Sequence, residues 1–400
     1  MKDHLGCVSN EVAIVSAQTL AEVRPTTSRR VSVVIPCLNE AGNIRQCVQA
    51  AHQVLRDNGI DGEVIVADNG SEDGSADLAR AAGAAVVEEP RRGYGSAYLA
   101  GFSAAHGDYI VMVDADLTYD FEEIPHFVSE LDRGGELVMG NRMQNVQPGA
   151  MSWVSRVGNP ILSGFLNLLY RTPVGDAHCG MRALRRDVLP VLDLQSTGME
   201  FASEMVIRAA RAKLDIREVP IALHPRGGES KLHPFRDGWR HLKLMLVYNP
   251  TALFFVPGAA LVLLGSVLMA MVFAHVRIAG RELLVHTLIG GSLLVVAGSQ
   301  LIGFGLCARA YGVYQLGDHD RFIEGMHARL RLEQGLLVGT ALFTAGLAMG
   351  GVIVGTWISH GLGKLGEERL AILSATLVIV GIQVVFTSFL LSIIGLRRRD

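Results

Sequence analysis

The 400-residue chain predicts an α/β domain with a mostly parallel sheet, followed by an all-α membrane domain of four transmembrane helices. Three observations carry that prediction. Between Val31 and about Met139, short β-rich apolar runs alternate with helical patterns, the signature of right-handed crossovers in a parallel sheet. One of those runs, Tyr109 to Val113, is wholly apolar and stops abruptly at Asp114-Ala115-Asp116, as a central strand does when it delivers polar groups at its carboxyl end. Beyond Pro250 four long windows, Ala252–Ala274, Leu283–Ala308, Gly335–Ser359 and Leu370–Leu396, contain no Asp, Glu, Lys or Arg. Each exceeds the roughly 20 apolar residues that cross a bilayer as a helix.

Residues 1–30 mix Asp3, Glu11 and Glu22 with short apolar pieces and lack an uninterrupted hydrophobic core, so they predict a mobile tail and no cleavable signal. Val31 to Ile35, closed by Pro36, is the first strand, and Asn39-Glu40 lead into a helix over 41–56. Glu63 to Ala67 is the second strand. It ends in Asp68-Asn69-Gly70-Ser71, a turn whose carboxylate and amide suit either a base and ribose or an ordinary Asx turn. A helix over 75–82 and a strand over 84–88 follow, then Gly93-Tyr94-Gly95 opening another helix. That glycine pair comes after the third strand, whereas a dinucleotide-binding motif follows the first, so the dinucleotide reading is set aside.

After the strand at Tyr109, period-two geometry predicts that Asp114 and Asp116 project to one side and converge on a hard cation such as one holding a diphosphate. A helix over 122–131 leads to a strand over 137–139, and Gly140-Asn141-Arg142 puts an arginine just beyond its end, where it suits a phosphate. The stretch 151–170 is helical and apolar with Arg156 near its start, which fits a surface helix against lipid or a piece of core. Residues 176–182 predict a polar loop, and 199–212 a helix with Glu200 and Glu204 on one face. Arg226 to Lys231 is a basic, Gly-rich loop able to close over an anion, and 239–248 is an interfacial helix carrying Arg240, His241 and Lys243. The expected organisation is a tail over 1–30, a catalytic domain over 31–235, an interfacial helix over 236–250, four spans over 251–396 and a tail over 397–400.

Charge and cysteine content exclude several classes. A net charge of −3 argues against a nucleic-acid partner. The 5 cysteines have no paired metal-ligand spacing and predict neither a zinc site nor a disulfide framework.

The segments from Val31 to Pro250 together resemble family 2 glycosyltransferases of the polyprenyl-phosphate sugar synthase type, such as dolichyl-phosphate mannose and glucose synthases. The residues that carry the resemblance are Val33-Val34-Ile35-Pro36 with Asn39-Glu40, Asp68-Asn69-Gly70-Ser71 with Asp73-Gly74, Asp114-Ala115-Asp116-Leu117 and Gly140-Asn141-Arg142. They continue through Ser155-Arg156, Asn159, Asp176 with Gly180-Met181-Arg182, Glu204, and Arg226 with Ser230-Lys231. The resemblance implies an A-type glycosyltransferase fold in which Pro36, Asn39, Glu40, Asp68, Asn69 and Asp114 bind the nucleotide. It further implies Mg2+ or Mn2+ on Asp114 and Asp116, with Arg142, Arg156, Arg226, Ser230 and Lys231 meeting the phosphates of donor and lipid acceptor. The resemblance makes Asp116, Asp176 and Arg142 the expected catalytic set. The implied partners are a nucleotide sugar, UDP-glucose or GDP-mannose, a polyprenyl phosphate and the bilayer of a bacterial or archaeal cell membrane, with a homo-oligomer left open. Asn69 stands where an aspartate is usual and Thr118 where many mannose synthases place a metal-contacting glutamine. The run Asp176 to Arg182 looks more like the glucose-synthase branch, which favours UDP-glucose. Processive polysaccharide synthases share the fold but carry Gln-x-x-Arg-Trp, which is absent here. A non-enzymatic lipid transporter is disfavoured because no Asp, Glu, Lys or Arg lies inside the windows, where a transport path usually needs ionisable groups.

Basic residues are asymmetric about the spans. Arg236, Arg240, Lys243, Arg309, Arg321, Arg329, Arg331 and Arg397 to Arg399 fall on one side, against Arg277, Arg281, Lys364 and Arg369 on the other. By the positive-inside rule the catalytic half and both termini are cytoplasmic. Single cysteines at Asp318 and Asp400 are therefore expected to label only from the cytoplasmic side, and cysteines at Arg277 and Lys364 only from outside. Labelling of position 318 from outside overturns this topology.

Overall fold

The computed structural model describes residues 30–226, 234–278, 281–315, 332–362 and 366–395. Ser230, Lys231, Asp318, Arg321, Arg329, Arg331, Lys364, Arg397 to Asp400 and the tail 1–29 lie outside the described residues. The chain divides into two compact units, one of residues 1–156, 178–201 and 212–231, the other of 157–177, 202–211 and 232–400.

The first unit is built on a seven-stranded sheet of order β3-β2-β1-β4-β6-β5-β7. Its strands are β1 Val31–Cys37, β2 Gly62–Asp68, β3 Ala85–Glu88, β4 Tyr109–Met112, β5 Leu137–Val146, β6 Arg182–Arg185 and β7 Ile216–Leu223. Strands β1 to β4 pair in parallel, as does β5 with β7, and only β6 runs antiparallel, between β4 and β5. Helices α1 Ile44–Asp57, α2 Ser75–Ala81, α3 Tyr94–Ala104 and α4 Ile124–Asp132 supply the crossovers. The neighbouring pairs Val33 and Val34, Ile65 and Val66, and Ile110 and Val111 are all at 0–1% exposure, so the central strands are buried on both faces, as parallel sheets demand. Because β1 continues to β2 on one side and pairs with β4 on the other, strand order reverses between β1 and β4. The crevice outside the carboxyl ends there is where open α/β sheets bind ligands.

Four local expectations are corrected. The strand at Tyr109 stops at Met112, so Asp114 and Asp116 sit in the turn beyond it and the strand's alternation does not orient them. Arg142 lies inside β5, which continues to Val146 through a register irregularity between Asn141 and Asn145. Residues 176–181 form a loop, but a buried one: Asp176, Ala177, Cys179 and Met181 are fully buried, and Arg182 opens β6. After the short helix α6 (Leu189–Leu192), Glu200 precedes the helix α7 Phe201–Ala212 that carries Glu204. Strand β7 escapes a periodicity scan because Pro220 and the charges at Arg217 and Glu218 interrupt it, which an edge strand tolerates.

The second unit holds α5 from Val157 onward (the whole helix is Trp153–Tyr170), most of α7, α8 Pro234–Val247 and four helices long and apolar enough to cross a membrane. These run over Thr251–Phe273, Val285–Val313, Leu332–Ser359 and Glu368–Ile394, close to the four uncharged windows. Glycine sets their spacing. A Cβ on Gly265 would lie 2.5 Å from the Gly291 carbonyl oxygen, and one on Gly298 would lie 2.6 Å from that of Gly258. The first two spans therefore meet backbone to backbone, the close approach that small residues permit in lipid. Gly381 makes the same approach to the third span, with its Cβ position 2.8 Å from the Gly339 carbonyl oxygen.

Candidate active site at the β1/β4 switch point

Asp114 leaves the end of β4 among hydroxyls. Tyr94 and Tyr98, one turn apart at the start of α3, both donate to Asp114 Oδ1, at 3.1 and 3.3 Å. Their rings meet edge to face with centroids 4.9 Å apart, and Tyr98 stacks on Phe201 at 5.8 Å, so both hydroxyls are held by packing. Burial drives the two tyrosine pKa values well above their usual range, which keeps the donors protonated. The other carboxylate oxygen, Asp114 Oδ2, lies over Gly180. A Cβ at Gly180 would stand 2.3 Å from it and 3.1 Å from Tyr119 Oη, so only glycine fits.

Asp116 is turned back by its neighbour. Thr118 donates to Asp116 Oδ1 from both its backbone N–H, at 3.1 Å, and its hydroxyl, at 2.5 Å, while Leu117 between them takes a positive φ of 60°. Asp116 Oδ2 is ion-paired with Arg226. Tyr119 Oη accepts from the Gly180 N–H at 2.8 Å and from Arg142 at 3.2 Å, which brings the buried Arg142 guanidinium to the same cluster. Burial and the nearby Asp116 charge push the Asp114 carboxyl up to about 6, opposed by the Tyr94 hydrogen bond and by Arg226 and Arg142.

The turn after β2 forms the neighbouring wall. Asp68 Oδ2 accepts the N–H groups of Gly70 and Ser71, and its Oδ1 is a buried carboxylate oxygen without a hydrogen-bond partner among the described residues. Asn69 spends its amide on the following segment, donating to the carbonyls of Glu89 and Arg91 and accepting from the Gly93 N–H. Asn39, at φ 52°, accepts from the Glu72 N–H, and the Glu40 N–H donates to Ser75. Pro36 is half-buried in β1. Arg156 stands exposed in the first turn of α5, and Asp176, fully buried, belongs to the second unit. Among the described residues, then, Asp114, Asp116, Arg142 and Arg226 come together.

Sequence reasoning did not name Tyr94, Tyr98, Tyr119 or Gly180 as parts of the site. The Gly93-Tyr94-Gly95 run was the available signal. A Cβ on Gly93 or Gly95 would stand 2.1 Å from the carbonyl oxygen of Thr197 or Ser196, so these glycines admit a neighbouring backbone and thereby seat Tyr94.

A family model for glycosyl transferase family 2 matches residues 32–192, and one for the C-terminal transmembrane region of such enzymes matches 306–395. The chain is 41% identical to the low-salt glycan biosynthesis hexosyltransferase Agl6 of Haloferax volcanii, over 97% of this chain and 93% of that protein. This chain belongs to glycosyltransferase family 2. It is an enzyme of that family and a membrane protein. It is also 36% identical to the dolichyl-phosphate hexose transferase of the same organism, over 44% of this chain and 76% of that protein. Among solved structures it is similar to glucosyl-3-phosphoglycerate synthase from Mycobacterium tuberculosis in complex with Mn2+, UDP-glucose and phosphoglyceric acid. That match has 24% identity and a TM-score of 0.46, covering 55% of this chain and 79% of the other.

Among the described residues no group of three or more His, Cys, Asp and Glu could hold a metal ion. The donor set is two carboxylates, and the raised Asp114 pKa, set first by burial and then by the Asp116 charge, marks a site that a cation would relieve. Such a set fits Mg2+ or Mn2+, since a hard ion of this kind takes one or two carboxylates and fills its remaining positions with substrate phosphate and water.

The Asp114 shift sets a pH dependence. A carboxyl whose folded pKa lies above its unfolded value of about 3.9 contributes fully to stability below that value, and the contribution is lost as pH rises through about 6. With chelator present, full-length Asp114→Asn in detergent is expected to be more stable than the parent near neutral pH, by on the order of 1–3 kcal/mol. The difference should vanish by about pH 4, where the parent is protonated too. Melting temperatures across that range check it, and a pH-independent difference refutes the assignment.

Proposed function

We propose that this glycosyltransferase moves a hexose from a nucleotide sugar to the phosphate of a membrane polyprenyl phosphate, with inversion at the sugar carbon. UDP-glucose is the favoured donor and GDP-mannose the alternative. The observation that carries the reading is the pairing of Asp114 and Asp116 with Arg226 at the sheet's switch point, in a chain that also has four membrane-spanning helices. The similarity to the Haloferax dolichyl-phosphate hexose transferase supports a lipid phosphate as acceptor. Residues 31–235 are assigned to a cytoplasmic catalytic domain, 236–250 to an interfacial helix and 251–396 to the membrane domain.

The chemistry needs little from the protein as a base. A phosphate monoester has a second pKa of about 6, so the lipid phosphate is mostly dianionic at neutral pH and attacks the anomeric carbon directly. As that C–O bond forms, the bond to the nucleoside diphosphate breaks and its electron pair leaves with the diphosphate. Asp114 and Asp116 would hold the divalent cation, which supplies charge neutralisation on the departing diphosphate. Arg142, fixed by Tyr119, and Arg226 screen the repulsion between the two phosphates. Pro36, Asn39, Glu40, Asp68 and Asn69 line the nucleotide side, the unpartnered Asp68 Oδ1 offering an acceptor to a base or ribose. Arg156, Ser230 and Lys231 are assigned to the phosphates, and Asp176 to the acceptor, as a base or in positioning it.

Incubating membranes with radiolabelled nucleotide sugars and a polyprenyl phosphate tests the donor, and label is expected in lipid from UDP-glucose. Label from GDP-mannose alone replaces the donor, and label from neither refutes the reaction. Asp116→Ala is expected to abolish turnover while far-UV circular dichroism is retained, and chelation should have the same effect. Full activity in chelator removes the metal.

Arg226→Ala is expected to raise the KM for polyprenyl phosphate more than that for the sugar nucleotide, at a cost of about 1.5–3 kcal/mol in kcat/KM. An effect confined to the sugar nucleotide assigns Arg226 to the donor.

A further inference from the structure

In both Asp114 and Asp116, one carboxylate oxygen is filled by hydrogen bonds and the other is left over. A carboxylate oxygen has room for two donors. Asp114 Oδ1 has both, the Tyr94 and Tyr98 hydroxyls at 3.1 and 3.3 Å. Asp116 Oδ1 also has both, the Thr118 N–H at 3.1 Å and the Thr118 hydroxyl at 2.5 Å. All four bonds fall on the Oδ1 atoms. Asp114 Oδ2 is left to Gly180, where a Cβ would stand 2.3 Å from it, and Asp116 Oδ2 already faces a cation, the Arg226 guanidinium. Compensation of buried charge alone would be served as well by one donor on each oxygen, whereas doubling on Oδ1 keeps Oδ2 clear.

We propose that Tyr94, Tyr98 and Thr118 are positioning residues that make Asp114 and Asp116 one-oxygen ligands and thereby select Mg2+ or Mn2+ against Ca2+, resting on the proposed role of the two carboxylates as metal ligands. Ca2+ takes about six to eight oxygen ligands and readily accepts both oxygens of one carboxylate. Mg2+ demands a near-ideal octahedron, and is held by one or two carboxylates with substrate phosphate and water in the remaining positions. With each Oδ1 saturated, the pair has two oxygens to offer. That number suits the second kind of ion and leaves its other positions to a diphosphate.

The four donors are held in place by the fold. Tyr94 and Tyr98, four residues apart on α3, share one face of that helix. Tyr94 lies 6.5 Å from Phe201 ring to ring, and Tyr98 stacks on Phe201 with the planes 5° apart. Phe102 packs against both partners, at 5.8 Å from Tyr98 and 6.1 Å from Phe201. A tyrosine hydroxyl lies on the axis of its ring, so neither can leave Asp114 Oδ1 without moving a packed aromatic. On Asp116 the restraint is local, since the positive φ of Leu117 brings the Thr118 N–H and hydroxyl back to one oxygen.

Full-length protein in detergent, titrated with Mn2+ alone and followed by water-proton relaxation, gives the test when Mg2+ or Ca2+ is then added to displace the Mn2+. In the double variant Tyr94→Phe, Tyr98→Phe, Mn2+ is expected to bind about 10-fold or more weakly, as happens when partners that orient a metal ligand are lost. The deciding quantity is the Ca2+ concentration that displaces half of the Mn2+, divided by the corresponding Mg2+ concentration. That ratio is expected to fall by about 10-fold, because Asp114 Oδ1 is released for a second bond to the larger ion. A damaged fold weakens all three ions together, so an unchanged ratio overturns the proposal whatever happens to Mn2+ itself. Should the double variant not fold, Thr118→Val keeps the branched shape, removes one donor from Asp116 Oδ1 and is expected to lower the ratio too; an unmoved ratio there overturns the proposal. Asp116→Asn separates the failures. Mn2+ binding that is absent from the parent, or that survives Asp116→Asn, overturns the metal role of the carboxylates together with the proposal. Binding lost in Asp116→Asn with an unmoved ratio in the tyrosine variant overturns the selectivity assignment alone.

Discussion

Two carboxylates one residue apart, removed from much of their water at the end of a central strand, set the terms for the site around them. Each unit of repulsion must be met locally, since buried charge is expensive unless paired and hydrogen-bonded. Asp114 is met by two tyrosine hydroxyls and Asp116 by a threonine and an arginine. Tyr119 draws in Arg142 through the hydroxyl that also holds the Gly180 N–H. Even Gly180 belongs to this arrangement, because any side chain there would occupy the space of Asp114 Oδ2. Burial first, and the Asp116 charge second, still raise the Asp114 pKa, a cost that a divalent cation would relieve.

Close backbone approach recurs as the structural device in both units, for different reasons. In the sheet unit Gly93 and Gly95 admit the carbonyls of residues 196–197, so that the start of α3 is seated and its tyrosines reach Asp114. Between the spans, Gly258, Gly265, Gly291 and Gly298 remove side chains where hydrophobic burial gives no advantage over lipid and close packing must supply the attraction. Side-chain pairs add direction there, with Ser292 and Thr376 hydroxyls 2.7 Å apart between the second and fourth spans.

The buried cysteines show the same separation of packing from chemistry. Burial pushes the Cys37 thiol up to about 11 and that of Cys47 to about 12, so neither is a nucleophile at neutral pH. Cys37 ends β1 beside the nucleotide wall, packed in the core with its thiol 4.0 Å from the Ser71 hydroxyl.

Sequence alone determined the features that depend on composition over a window. The four spans follow from uncharged length, the first four strands from apolar runs, and the Asp114 and Asp116 pair from where one run stops. Those properties survive because burial and membrane insertion read summed hydrophobicity. Tertiary structure decided what depends on a single turn or on distant partners. Asp114 and Asp116 are oriented by the Leu117 turn and by hydroxyls up to 20 residues away, which strand alternation cannot specify. Arg142 is aimed from within a bulged strand, and β6 exists because β4 and β5 flank its four residues, two of them arginines with no apolar period. Asn69, which the sequence offered to a base, is committed by the fold to the backbone of residues 89–93. Residue 226 is some hundred positions from Asp116 in sequence, and only the folded chain brings the two charges into contact.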